Sequence, residues 1–125
     1  MKRFLLMLAL LLPLSAQAQA AWSQRNLLML SVAEAAMLVD YKQTRAFTQE
    51  RRPDGSYRWH ERNLFLGEHP SAGRVNTHFA LALLAVPLIA HQMNEHDRHL
   101  FLSVFATLEL FNVGRNYGLG VRFAW

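Results

Sequence analysis

From Trp22 to Thr44 the chain places Leu27, Leu30, Ser31, Glu34, Met37, Leu38 and Tyr41 at three- and four-residue steps, with no Gly or Pro between. That period predicts a first helix, apolar on nearly every side apart from Glu34 and closed by Asp40. A helix of this kind is buried in a protein core or in lipid. The second begins at Pro70-Ser71, where Ser71 is placed to cap it. Its body, Val75 to Met93, has 19 residues without a formal charge when His78 and His91 are neutral. Such a length crosses a hydrocarbon core of ~30 Å, and Pro87 inside it is better tolerated in a membrane bundle than in a soluble one. After a polar turn, Asn94 to Arg98, a third apolar stretch runs from His99 to Val113, and Glu109 is its one charge.

The period then changes. Tyr117, Leu119, Val121, Phe123 and Trp125 alternate with Gly118, Gly120, Arg122 and Ala124, which predicts a short strand-like tail. The alternation is similar to the last strand of outer-membrane barrels, although one strand closes no barrel. Between the first two helices lies a polar connector of roughly 30 residues from Gln43, longer than an ordinary link. Tyr57, Trp59, Leu64, Phe65 and Leu66 give it apolar surface to bury, which favours an ordered loop over disorder. Pro53-Asp54-Gly55-Ser56 reads as a tight turn within it. The expected architecture is mainly α: a three-helix hydrophobic, transmembrane bundle with a long ordered loop and a strand-like tail.

The first twenty residues stand apart from that domain. Lys2-Arg3 form a basic start, Phe4 to Leu14 an apolar run, and Ser15 to Ala20 a small-residue segment with cleavage spacing after Ala18 or Ala20. This is the pattern of a signal peptide over residues 1–20, leaving 21–125 as a single helical membrane domain. Its removal lowers the basic count from 13 to 11 against 9 acids, so the working chain is near +2 and the pI of 10.1 overstates its basicity. With no nucleic-acid motif and no aromatic-basic repeat, nucleic acid is not an expected partner. The absence of Cys excludes disulfides, thiolate metal sites and Cys nucleophiles.

Charge placement fits a membrane topology. With the mature N-terminus outside, Lys42, Arg45, Arg51, Arg52, Arg58, Arg62, Arg74, Arg115 and Arg122 fall inside, and only Arg25 and Arg98 fall outside. Within the apolar zone, Glu34, His78 and Glu109 are candidates for a metal or proton site. Equally, hydrogen bonds to Ser31, Thr77, Ser103 or Thr107 would make them packing features. His91, His96 and His99, near Glu95, are the candidate metal ligands at the second turn. In the loop, Arg58, Arg62 and Arg74 suit anionic headgroups, or pair with Glu61, Glu68 and Asp40. No nucleophile triad, phosphate-binding Gly loop or zinc-protease motif is present, so nothing supports an enzyme and no cofactor is expected.

Three segments carry a resemblance: Asp40-Tyr41-Lys42-Gln43-Thr44, then Glu61-Arg62-Asn63-Leu64-Phe65-Leu66-Gly67-Glu68-His69-Pro70-Ser71, then Asn76-Thr77-His78-Phe79. In that order, with the tail Arg115 to Gly120, the chain resembles a group of small bacterial exported or membrane-bound proteins with Asp-x-x-Gln-Thr and Glu-x-Asn-Pro-x-Leu-Gly-x-x-Pro motifs. Leu64 stands where that pattern has Pro. The resemblance implies no activity, but it nominates Asp40, Gln43, Thr44, Glu61, Asn63, Gly67, Pro70 and Asn76 as the loop-motif positions. The expectation is a non-enzymatic inner-membrane protein working through helix packing, lipid or a protein partner, either another membrane protein or a second copy. The alternatives are a membrane-embedded metal or proton site, and a soluble periplasmic bundle or envelope accessory protein.

Overall fold

The computed structural model describes residues 21–123; the segment expected to be a signal peptide, residues 1–20, and Trp125 at the end of the expected strand-like tail lie outside the described residues. Three helices follow one another: α1 (Gln24–Gln49), α2 (Ala72–His91) and α3 (Glu95–Gly118). Each starts at a side chain that satisfies an orphan backbone donor. Ser23 Oγ accepts from Asn26 N, Ser71 Oγ from Arg74 N, and Asn94 Oδ1 from Asp97 N. The third cap moves the start of α3 forward: what reads as a polar turn, Asn94 to Arg98, is the capped first turn of a helix. Similarly, α1 continues five residues past Thr44, because Ala46 and Phe47 have a surface to bury against in Val121 and Trp59.

The strand-like tail is not observed; among the described residues there is no strand. Helix α3 continues to Gly118, and a glycine cap then closes it. Gly120 takes φ +89°, Val121 N donates to Asn116 O, and Gly120 N donates to Tyr117 O. Alternation of apolar residues with Gly suits a strand, but the same glycines permit the left-handed residue that ends a helix. Val121 then turns back to bury completely beside Phe47.

Helix α1 is the spine. Both α2 and α3 pack along it and have little contact with each other. At the end away from the loop, Met37, Val86, Ala90 and Leu102 form the apolar core, with Trp22, Met29, Leu30 and Phe101 against it. Also at that end, Arg98 is fully buried, donating to the carbonyls of Ala90 (2.9 Å) and Met93 (2.8 Å) and lying over the Trp22 ring. Toward the loop, α2 and α3 diverge, and chain from the loop fills part of the gap.

Three anchors hold the loop. The Pro53–Ser56 turn closes with Gly55 N donating to Arg52 O and Ser56 N to Asp54 Oδ1, and Arg51 pairs with Tyr57 as a lone bridge. Ser56 Oγ, donating to Asp54 Oδ1 at 2.6 Å, together with that backbone bond holds the exposed Asp54 carboxyl below its ordinary range. Trp59 packs on Phe47 and donates Nε1–H to Glu50 Oε2 at 2.7 Å. Leu66 is buried against Val75 and Phe79. Beside it, Leu64 and Phe65 form the tip, 95% and 79% exposed.

Candidate functional site

Where α2 and α3 diverge, a cavity of about 480 Å³ opens between the three helices under the loop. Met37, Ala82 and Phe105 form its apolar end. Its polar side takes Asp40 and Thr44 from α1, His78 from α2, Glu109, Asn112, Arg115 and Asn116 from α3, and Glu61, Arg62 and Asn63 from the loop. Asp40 lies in the field of Glu61 and of Arg115, and Glu109 in the field of Asp40. Three carboxylates therefore face one space with the guanidinium of Arg115 among them.

Each wall is fixed locally. Asn116, 3% exposed, donates Nδ2–H to Asp40 Oδ1 at 3.0 Å and to Gln43 Oε1 at 3.3 Å. Thr44 also reaches the Asp40 carboxylate, and Gln43 Nε2 donates to Val113 O at 3.4 Å. In the loop, Glu61 Oε1 accepts from the backbone N–H groups of Arg62 and Asn63, both at 2.8 Å. Asn63 Oδ1 accepts from Phe65 N, and Asn63 O accepts from Leu66 N and Gly67 N. These bonds form the turn without Pro at position 64, and Gly67 supplies its positive φ of 78°. Arg74 Nε closes the lid by donating to Phe65 O at 3.0 Å.

Most of the loop-motif positions converge here. Asp40, Thr44, Glu61 and Asn63 line the cavity, Gln43 orients Asn116 behind it, and Gly67 shapes the lid. Pro70 is buried beyond the lid, and Asn76 is a tie between helices, accepting from Tyr41 Oη and Arg45 Nη1. Of the apolar-zone trio, His78 and Glu109 line the cavity, while Glu34 is half-buried on α1 outside it. Three of the expected hydroxyl partners are engaged elsewhere: Ser31 donates to Leu27 O, Thr107 to Ser103 O, and Ser103 Oγ meets His99. Glu109 Oε2 and Asn116 Oδ1 are buried without a hydrogen-bond partner among the described residues.

The arginines do not pair as expected with Glu61, Glu68 and Asp40. Arg58 meets Glu50 at 3.5 Å, and Glu68 is taken by His60. Nor do His91, His96 and His99 gather: His91 Nδ1 accepts from the Trp22 indole, and the His99 ring lies 3.4 Å from Ser103 Oγ. Among the described residues, the group whose potential metal-ligating atoms all lie within 4.8 Å of one another is His60, Glu68 and His69. His60 lies eight and nine positions before Glu68 and His69 in a loop, so no helical spacing points to the group.

Compared with known proteins, the chain matches no family model, no curated protein and no solved structure.

Proposed function

We propose that this chain is a small bilayer-spanning helical bundle of the bacterial envelope that acts by binding, through lipid or protein contacts, rather than by turnover. The observation that carries this reading is an apolar outer surface on all three helices. Leu27, Leu28 and Leu38 of α1, Leu81, Leu84 and Leu88 of α2, and Leu100, Val104 and Leu108 of α3 are all exposed. Patches of that extent mark contact with lipid or another protein. Helix α2 is long and apolar enough to cross a membrane on its own, and little of it is buried within the bundle.

Charge spacing supports the same reading for the other two. Arg25 and Lys42 on α1, Arg74 and His91 on α2, and Asp97 and Arg115 on α3 are seventeen or eighteen positions apart. At 1.5 Å per residue each interval is about 26 Å. Long side chains reaching outward extend that toward the ~30 Å of a hydrocarbon core. Glu34, Asp40 and Glu109 fall inside these intervals, and all three are half-buried. With the loop and tail on the cytoplasmic side, the positive-inside bias holds, and Arg98 does not weaken it because it is a buried helix cap. Fractionation with an alkaline carbonate wash tests this: retention in the inner-membrane pellet is expected. Release into the supernatant would replace it with a periplasmic bundle.

A second reading places a proton or cation site in the cavity. It is favoured by His78 and Glu109 sharing that space with Asp40 and Glu61. Glu34, which lies outside the cavity, drops out of it. Asp40→Asn and Glu109→Gln, scored for phenotype in a deletion strain, test the reading; full complementation by both would remove it.

A further inference from the structure

The two arms of the central loop run side by side beyond Trp59. Glu61 N donates to Glu68 O at 2.9 Å, and this one backbone bond sets His60 opposite Glu68 and His69. His60 Nδ1 is 2.8 Å from Glu68 Oε1, and His69 Nε2 is 4.0 Å from the same oxygen. The rings are held as well as placed. His69 stacks on Tyr57 with centroids 4.0 Å apart and an 8° interplanar angle, and the Arg51 guanidinium lies 3.6 Å from the Tyr57 centroid. His60 lies against His69 at 4.8 Å.

We propose that His60, Glu68 and His69 bind a divalent transition-metal ion of the zinc class and clip the loop shut over the cavity. Two imidazoles and a carboxylate are the donor set of a three-ligand zinc site, with a fourth position left to water or a further ligand. Zinc holds N and O ligands at about 2.0–2.1 Å, which sets neighbouring ligand atoms near 3.4 Å apart in a tetrahedron. The separations of 2.8 and 4.0 Å bracket that value, so small rotations of exposed side chains close the site. The ion takes the place of the hydrogen bond between His60 Nδ1 and Glu68 Oε1.

The loop has reason to need such a clip. It has no cysteine to brace it, and one backbone hydrogen bond joins its arms at this level. Between the arms lie Asn63 and Leu66, which form the lid of the cavity. Metal binding at the base of the arms therefore fixes the lid without touching the cavity walls.

The test uses the full mature protein, purified in detergent without a histidine tag, stripped with chelator and titrated with Zn²⁺ by calorimetry. The expected result is one ion per chain, with affinity falling on acidification because imidazole ligands must be neutral. His60→Ala, Glu68→Gln and His69→Ala should each weaken binding by at least the ~10-fold that losing even an outer-shell partner costs. Their circular dichroism should match the parent. Bound Co²⁺ should give visible ligand-field bands that the His60→Ala protein lacks. Zn²⁺ should also slow trypsin cleavage after the exposed Arg62 in the parent but not in His69→Ala. Absence of stoichiometric Zn²⁺ binding would overturn the proposal, as would binding that survives His60→Ala and His69→Ala together or that is lost in His96→Ala/His99→Ala instead.

Discussion

Asn116 donates its side-chain N–H to Asp40 at 3.0 Å, joining residues 76 positions apart across the α1–α3 seam. The same nitrogen reaches Gln43, whose own amide is oriented by the Val113 carbonyl. Polar groups withdrawn from water are costly unless paired, so this seam depends on a matched set rather than on apolar contact. Asn116→Ala leaves Asp40 and Gln43 short of a donor and should cost about 1–3 kcal/mol. Thermal unfolding in detergent reads this directly. An unchanged midpoint would mean that water replaces the amide freely.

Arg98 closes the opposite end of the bundle. Its guanidinium caps the carbonyls of Ala90 and Met93, at the negative end of α2, and rests on Trp22. Arg98→Met keeps the unbranched stem of the side chain but removes two charge-assisted hydrogen bonds, a loss of about 3 kcal/mol. Arg98→Lys retains the charge without the fork and should fall between. Denaturation midpoints of the three proteins should rank Arg, Lys, Met.

Three glycines separate backbone need from space. Gly120 has φ +89° in the cap of α3, so Gly120→Ala should destabilise by ~1 kcal/mol. Gly73 and Gly114 lie within helices, and a Cβ added at either meets nothing within 4 Å. There Ala is the better helix former by up to ~1 kcal/mol, so Gly73→Ala and Gly114→Ala should raise the unfolding midpoint. A fall in either would reveal a partner pressed against that face.

The three helices are legible because apolar residues return at helical period, and Ser71 is legible as a cap because it follows Pro70. The tail misleads because Gly118 and Gly120 satisfy an alternating pattern and a helix stop equally well; what decides is the buried seat that Val121 finds beside Phe47. Arg98 reads as a charge of the polar turn on the outer side because the sequence does not show that the carbonyls of α2 end beside it. Individual cavity residues stand out by their chemistry, but their convergence depends on α2 and α3 diverging from each other along α1, a property of packing. His60, Glu68 and His69 are hidden for a related reason: a turn built by Asn63 and Gly67 brings them together.

The apolar outer surface makes its own demand. Leu84 is 64% exposed on α2, so a soluble bundle should accept Leu84→Lys with little change. In a bilayer, a lysine at that depth costs ~3 kcal/mol on insertion scales. On the proposed topology, Leu84→Lys should sharply reduce membrane-retained protein, and Thr77→Lys, near the polar end of α2, should not. Equal yields from both would argue for an aqueous surface.

Glu109 offers the sharpest separation of a working group from a packing one. Its Oε2 is buried without a hydrogen-bond partner among the described residues, and its carboxylate lies in the field of Asp40 across the cavity. A group kept for packing is stabilising in place, whereas a group kept for binding commonly sits at a cost to the fold. Glu109→Gln preserves shape and removes a carboxylate whose charge burial disfavours and Asp40 repels, so it should stabilise the protein by about 1 kcal/mol. For a domain of this size that raises the midpoint by ~4–8 °C. Loss of complementation alongside the rise would mark Glu109 as part of a binding site. A lower midpoint would instead show that its carboxylate holds α3 in place, and the case for a cation or proton site in the cavity would fail at its central residue.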